Sequence, residues 1–393
     1  MVQKAKGFST KSVHAGEKLD PSTGAVVAPI YETSVFASSS TKELIEVMSE
    51  KTEGYVYTRY GNPTVKTVER KMAELEGAES AAVFSSGMAA ITTTILTLVS
   101  SGDHVVSTRD LYGGTLEFFK NVLPKFGVEV SLVEATDFNE TVSATRQNTK
   151  VIYAETPTNP TLKIVDLSKL AKLGKKKKIT VVVDSTFASP YNLKPIDLGV
   201  DTVVHSATKY LGGHNDVTAG VVCGPENFVK KLKIMRKALG GILDPFAAWL
   251  LLRGLKTLGV RMERHNSNGI QVARYLEKHP KVKKVYYPGL RSHPQHTIAK
   301  KQMKGFGGVV SFEVDGDFEK TMKFVENLKL CYLAASLGGV ETLVTQPVTS
   351  SHYFISTEER KKAGITDQLV RLALGIEDPE DIIADLEQAF NNI

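Results

Sequence analysis

From Ala81 onward, short apolar runs alternate with longer stretches in which hydrophobic residues recur at helical spacing. The runs are Ala81–Phe84, His104–Val106, Glu129–Val133, Val151–Ala154, Thr180–Val183, Thr202–Val204 and Gly220–Cys223. Most are rich in valine and end in polar or glycine residues, which suits strands covered on both faces. Helical periodicity marks Thr64–Leu75 ahead of them and Ala89–Val99 between the first two. Strands alternating with helices predict an α/β fold with a mostly parallel central sheet and right-handed crossovers.

The pattern differs on either side. Residues 1–60 are broken by Gly16, Pro21, Gly24, Pro29 and Gly54, and read as an irregular arm wrapped over a neighbouring subunit. After Trp249, Leu250–Glu277 reads as one long helix. Strands at Lys284–Tyr287 and Val309–Val314 follow, with helices at Phe318–Leu328 and Glu380–Phe390, the last starting beside Asp378-Pro379. The expected organisation is therefore an arm (1–60), a large domain (61–249) and a smaller α+β C-terminal domain (250–393).

Composition narrows the field. With 393 residues, 42% hydrophobic and 23% charged, the chain is long enough for more than one core. No run suits a membrane span and none resembles a signal peptide, so the expected address is cytoplasmic. Cys223 and Cys331 stand far apart without a CxxC partner, which argues against disulfides and zinc knuckles. His205, His214, His265 and His352 show no metal-ligand spacing, so no metal is expected. The net charge of +6 is modest, and Lys175–Lys178 reads as a solvated turn rather than a nucleic-acid contact. Neither GxGxxG nor a P-loop follows any strand.

Two of the runs end in chemistry. Val181–Val183 stops at Asp184-Ser185-Thr186, and Thr202–Val204 leads into Ser206-Ala207-Thr208-Lys209. Alone, the aspartate reads as a turn former and the lysine as a solvated side chain. Together, at the ligand-binding edge of an open sheet, they are the parts that hold pyridoxal 5'-phosphate. The lysine attaches to the aldehyde carbon and the carboxylate pairs with the ring nitrogen. The turn Ser85-Ser86-Gly87-Met88, where a strand meets a helix, offers backbone N–H groups to the phosphate. Ser206 and Thr208 add hydroxyls, and Arg59 in the arm adds a cation from a neighbouring subunit. Tyr112, beside Gly113 and Gly114, suits ring stacking and proton transfer. Asn159 suits the phenolic oxygen of the cofactor. Arg371, inside the apolar run Leu369–Leu374, needs a buried partner, and a substrate carboxylate supplies one.

These segments resemble the Cys/Met-metabolism family of pyridoxal-phosphate enzymes, which includes cystathionine γ-synthases, cystathionine γ-lyases and methionine γ-lyases. The resemblance spans essentially the whole chain. It is carried by Tyr57-Thr58-Arg59-Tyr60-Gly61-Asn62-Pro63, Ser85–Met88, Tyr112–Thr115, Glu155–Pro160, Asp184–Phe187, Ser206–Tyr210, Ser336–Gly339 and Leu369–Leu372. It implies the aspartate-aminotransferase-like fold (fold type I) and a homotetramer in which each site borrows Tyr57 and Arg59 from its dimer partner. It also implies cofactor contacts at Gly87, Met88, Asn159, Asp184, Thr186, Ser206 and Thr208, and a catalytic role for Lys209 and Tyr112. Arg371, Ser336 and Asn159 would bind a sulfur amino-acid substrate.

Within the family two positions separate the activities. Methionine γ-lyases usually carry cysteine where this chain has Gly114, and cystathionine-handling members usually carry glutamate where it has Ala335. Departing from both patterns, the chain is expected to be a broad carbon–sulfur γ-lyase acting on cystathionine, homocysteine or methionine. A γ-replacement synthase using an O-acylhomoserine is the alternative, with a β-lyase third and a cofactor-binding regulator of another class behind them.

Overall fold

The apolar runs assemble into two sheets in this computed structural model, which describes residues 7–350, 353 and 357–393. The first sheet has seven strands: β1 (Ser80–Phe84), β2 (His104–Thr108), β3 (Glu129–Val133), β4 (Thr149–Glu155), β5 (Thr180–Asp184), β6 (Thr202–Ser206) and β7 (Gly220–Gly224). Their spatial order is β1-β7-β6-β5-β4-β2-β3. The ladders from β6 through β3 are parallel, and only β7 runs against its neighbours β1 and β6. Because successive strand residues face opposite ways, the valine runs are buried on both faces. Val182, Val204 and Val222 pack with Ile91 and Ile95 of the helix Gly87–Leu98. Val221 and Cys223 pack the other way, against Val68 and Met72 of the helix Pro63–Glu76.

The second sheet has five strands: β8 (Val282–Tyr286), β9 (Val309–Val314), β10 (Tyr332–Leu333), β11 (Leu343–Thr345) and β12 (Leu369–Ala373), in the order β10-β11-β12-β9-β8. Its core is separate, built from Phe312, Phe324, Phe390 and Leu386. The final helix, Pro379–Asn391, places proline in its first turn as the sequence implied.

Three expectations change. The stretch Leu250–Glu277 is two helices, Pro245–Lys256 and Leu258–Lys278, and residue 249 lies inside the first. At the break, Thr257 Oγ1 donates to Gly254 O (3.2 Å) and Arg261 Nη2 donates to the same carbonyl (2.7 Å). Side chains thus take the acceptor that a continuing helix needs. The arm is not wholly irregular either, since Phe8–His14 and Thr41–Met48 are helical. The second is closed by a reciprocal cap: Ser40 Oγ accepts from Glu43 N (3.2 Å), and Glu43 Oε2 accepts from Ser39 N (2.6 Å). Finally, the first strand of the small sheet begins at Val282, two residues before the expected Lys284. His352 lies outside the described residues. No described helix is long and apolar enough to cross a membrane.

Candidate active site

A cavity of about 520 Å³ opens at the C-terminal ends of β4, β5 and β6, where an open α/β sheet presents side chains to ligands. Gly87, Met88, Tyr112, Asn159, Asp184, Thr186, Ser206, Thr208, Lys209, Ser336 and Arg371 all line it. Eleven of the sequence-derived site positions therefore meet in one place.

Asp184 lies on the floor, 5% exposed. Its Oδ1 accepts from Thr186 N (2.9 Å) and Thr186 Oγ1 (2.5 Å), and its Oδ2 accepts from Tyr153 Oη (3.3 Å). Burial pushes its carboxyl above the ordinary range, against the bonds from Thr186. Thr186 is thus a holder of Asp184: its hydroxyl also accepts from Ser206 N (2.8 Å), tying β6 to the floor.

At one end, the helix Gly87–Leu98 starts against Ser206. Ser86 Oγ caps Ala89 N (3.0 Å) and Ala90 N closes the first turn on Ser86 O (3.1 Å), which leaves the N–H groups of Gly87 and Met88 for an anion. A Cβ on Gly87 would come within 2.8 Å of Ser206 Cβ, so only glycine lets the helix end and β6 close together. Ser206 Oγ has no protein partner among the described residues, whereas Thr208 Oγ1 accepts from Ala219 N (3.0 Å) and donates to Ala219 O (3.3 Å).

At the other end, Arg371 of β12 reaches the cavity from the small sheet, 5% exposed. Its Nη1 donates to Asn159 Oδ1 (2.9 Å) and its Nη2 to Ser336 O (2.8 Å), while Nε is buried with no partner. No carboxylate pairs with it among the described residues, and burial lowers it to about 10. Ser336 adopts φ 116°, a left-handed backbone for a residue with a Cβ, and this orientation serves two contacts. Its carbonyl meets Arg371, and its hydroxyl accepts from Lys209 Nζ (2.8 Å). Burial, followed by the Arg371 charge, lowers the Lys209 amine to about 8, so the neutral, nucleophilic form is a minor but far larger share near neutrality than in an ordinary lysine.

Tyr112 is half exposed at the cavity wall, its ring against Gly114 and Met88. A Cβ on Gly114 would lie 2.7 Å from Tyr112 Cε1 and 3.2 Å from Met88 Sδ. Tyr57 and Arg59 are not at this cavity. They line a separate hollow with Glu32 and Asp244, where the Arg59 guanidinium lies between the rings of Tyr57 (5.5 Å) and Tyr60 (5.2 Å).

Sequence reasoning passed over Tyr153 and Glu155. Glu155 closes β4 as Asp184 closes β5, and the two are register partners. A run of apolar residues stopping at a carboxylate was the available signal at both.

Asp184 is a buried carboxyl with no ion-pairing cation among the described residues, and a pyridinium nitrogen supplies one. A phosphate-sized anion has two free N–H groups and a free hydroxyl at Gly87, Met88 and Ser206, and Lys209 stands between the two ends with a depressed amine. The donor set fits pyridoxal phosphate. Comparison with known proteins agrees: the model of the Cys/Met metabolism PLP-dependent enzymes matches residues 9–391. The chain belongs to that family. A methionine γ-lyase of Fusobacterium nucleatum is 48% identical over 100% of both chains. A chloroplastic cystathionine γ-synthase of Arabidopsis thaliana is 47% identical over 97% of this chain and 68% of its own. Among solved structures, a cystathionine γ-lyase from Lactobacillus plantarum complexed with L-serine superposes with a TM-score of 0.93 at 42% identity, covering 98% of this chain and 99% of that one. The fold is the aspartate-aminotransferase-like type I architecture, and the cofactor is pyridoxal phosphate.

Proposed function

We propose that this enzyme is a carbon–sulfur γ-lyase that eliminates a thiol from cystathionine, homocysteine or methionine, giving 2-oxobutanoate and ammonia. The observation that carries this reading is Arg371: a buried guanidinium without a counter-ion among the described residues, joined through Ser336 to a lysine of depressed basicity. It suits a substrate bearing an α-carboxylate whose Cα–H faces an amine.

Bound in the cavity, the cofactor supplies an electron sink that stabilises negative charge at the substrate's α-carbon. Arg371 fixes the substrate carboxylate, with Asn159 orienting the guanidinium from behind. Lys209 Nζ would take the proton from Cα and exchange protons at Cβ. Ser336 Oγ steers that amine between its positions. Tyr112 Oη protonates the departing sulfur. Asp184, anchored by Thr186 and Tyr153, keeps the ring nitrogen protonated. With cystathionine, one water enters while cysteine, 2-oxobutanoate and ammonia leave; with methionine, the thiol released is methanethiol.

The same reading extends to the assembly. Val26, Val27, Val35, Ile45 and Met48 of the arm are exposed apolar residues, an unusual patch for a lone soluble chain. This supports a subunit contact through the arm, residues 1–60, which in our reading carries Tyr57 and Arg59 to a partner's cofactor within a cytoplasmic homotetramer. Residues 61–249 would form the cofactor domain and 250–393 the substrate-side domain.

The test is 2-oxobutanoate release by the purified holoenzyme, with cystathionine, methionine, homocysteine and O-acetylhomoserine assayed in parallel. Release from thioethers or thiols is the expected outcome. Release from the ester alone, replaced by cystathionine when cysteine is added, overturns the lyase reading in favour of γ-replacement.

A further inference from the structure

Glu155 is 3% exposed and has no ion-pairing cation among the described residues, yet both of its oxygens are used. Oε2 accepts from Tyr112 N (2.8 Å) and Oε1 accepts from Asn159 N (3.0 Å). These two N–H groups belong to different loops. The Tyr112 loop follows β2, and the Asn159 loop follows β4 itself. Each loop carries one working side chain, the phenol on one and the amide that orients Arg371 on the other. Without Glu155, each N–H would lose its acceptor, a circumstance that backbone at least partly buried avoids.

The site is costly to maintain. Glu155 stands beside Asp184 in register, so two carboxyls share one patch of sheet edge. Burial raises the Glu155 carboxyl well above its ordinary range and the Asp184 charge raises it further, against the bonds from Tyr112 N and Asn159 N, which favour the ionised form that accepts at both oxygens. A residue kept only for packing would be apolar here. Asn159 is in turn held by Arg371, so the loops and the small sheet are linked through one carboxyl.

We propose that Glu155 is a positioning residue that sets the distance between Tyr112, the proton donor to the leaving sulfur, and the Asn159–Arg371 clamp on the substrate carboxylate. It rests on the lyase reading for the role of Tyr112, but not for its link to the clamp. Glu155 lines the cavity, but both of its oxygens are committed to backbone N–H groups, and it acts through them. A carboxylate can accept at both oxygens, whereas the amide of glutamine can accept at only one and presents a donor at the other.

The experiment is a double-mutant cycle on holoenzyme with Glu155→Gln and Tyr112→Phe, reading kcat and KM separately and recording the visible band of the bound cofactor. Glu155→Gln is expected to lower kcat about tenfold and raise KM about threefold, with a shifted cofactor band. In the Tyr112→Phe background the kcat loss should largely vanish, because the hydroxyl it positions is already gone, while the KM rise persists through Asn159. Full additivity in kcat, or an unmoved KM, overturns the proposal. If Glu155→Gln is insoluble, Glu155→Asp replaces it in the same cycle: it keeps the charge but is too short to hold both N–H groups. The cofactor band and cofactor affinity are read in every variant whatever substrate is turned over, so a wrong substrate assignment and a wrong role for Glu155 give different results.

Discussion

Arg371 and Arg236 are buried to the same degree, 5% and 4% exposed, and each leaves its Nε without a partner. They differ in what faces them. Arg236 Nη1 donates to Glu69 Oε1 (2.9 Å), and Glu69 Oε2 also holds Lys233 Nζ (2.6 Å). Those two cations hold Glu69 below the ordinary carboxylate range in spite of its burial. Arg371 meets only an amide oxygen and a carbonyl. The first guanidinium is complete within the chain; the second awaits an anion. Asp184 mirrors it with the opposite sign on the opposite sheet. Arg261 is as buried as Arg371 and also meets only neutral oxygens, but it does not line the cavity; a buried charge points to a missing ligand where it is both unpaired and turned to a cavity, as Arg371 and Asp184 are.

The sharpest break of that distinction runs through Lys209, which stands between the two unpaired groups. Lys209→Ala should lower turnover by at least about a thousandfold and abolish the visible band of bound cofactor. Turnover near the native rate would mean that the cleft's charges serve some other ligand.

Next in size is a matched pair. Arg371→Leu should lower kcat/KM about a hundredfold, mainly through KM, because the substrate carboxylate loses its buried guanidinium partner. Stability of the cofactor-free protein should change little, within about 2 kcal/mol, because the cost of two orphaned neutral acceptors is offset by removing a buried cation that has no counter-charge. Arg236→Leu should do the reverse: unfolding free energy falls by about 3–5 kcal/mol as Glu69 loses a buried partner, with KM unchanged in whatever protein stays folded. Denaturant titration and steady-state kinetics on both variants decide it. Equal destabilisation would erase the contrast.

Smaller still is the effect at the cavity rim. Ala335 lines the cavity beside Ser336, one residue from the Arg371 contact. Ala335→Glu should raise the ratio of kcat/KM for cystathionine over methionine about tenfold, by offering an acceptor to the distal ammonium. A fixed ratio would mean that specificity is set elsewhere on the wall.

Most of the cleft was legible because its strands announce themselves: an apolar run that ends in Asp184, and another that ends in Ser206 with Lys209 just beyond. Arg371 was legible for the same reason, as a charge with no place in an apolar strand. The helix break at Thr257 was not, because its cause is the Arg261 guanidinium folding back onto the Gly254 carbonyl seven residues earlier, a contact that periodicity does not encode. Glu155 carries the same mark as Asp184, an apolar run that stops at a carboxylate, but its role was not legible, because both of its oxygens are taken by backbone N–H groups and backbone partners leave no trace in a sequence. Tyr57 and Arg59 were readable as a motif, but within one chain they line a different hollow from the cavity they were expected to serve.

The smallest expected effect tests whether the unpaired charges feel one another. Lys209 sits at about 8 chiefly through burial, with the Arg371 charge as the second cause. Only the neutral amine attacks the cofactor's aldehyde, so the rate at which cofactor-free protein captures pyridoxal phosphate should rise with pH and level off above about 8. In Arg371→Leu the desolvation remains and the cation is gone. The ammonium form is then less disfavoured, so the inflection should move to higher pH, by an amount smaller than the shift that burial itself produces. Stopped-flow absorbance across a pH series measures both curves. An inflection that stays in place would show that water or the Ser336 hydroxyl screens the two groups, and that the clamp and the lysine act independently. An inflection that moves down would contradict the sign that two neighbouring cations must have.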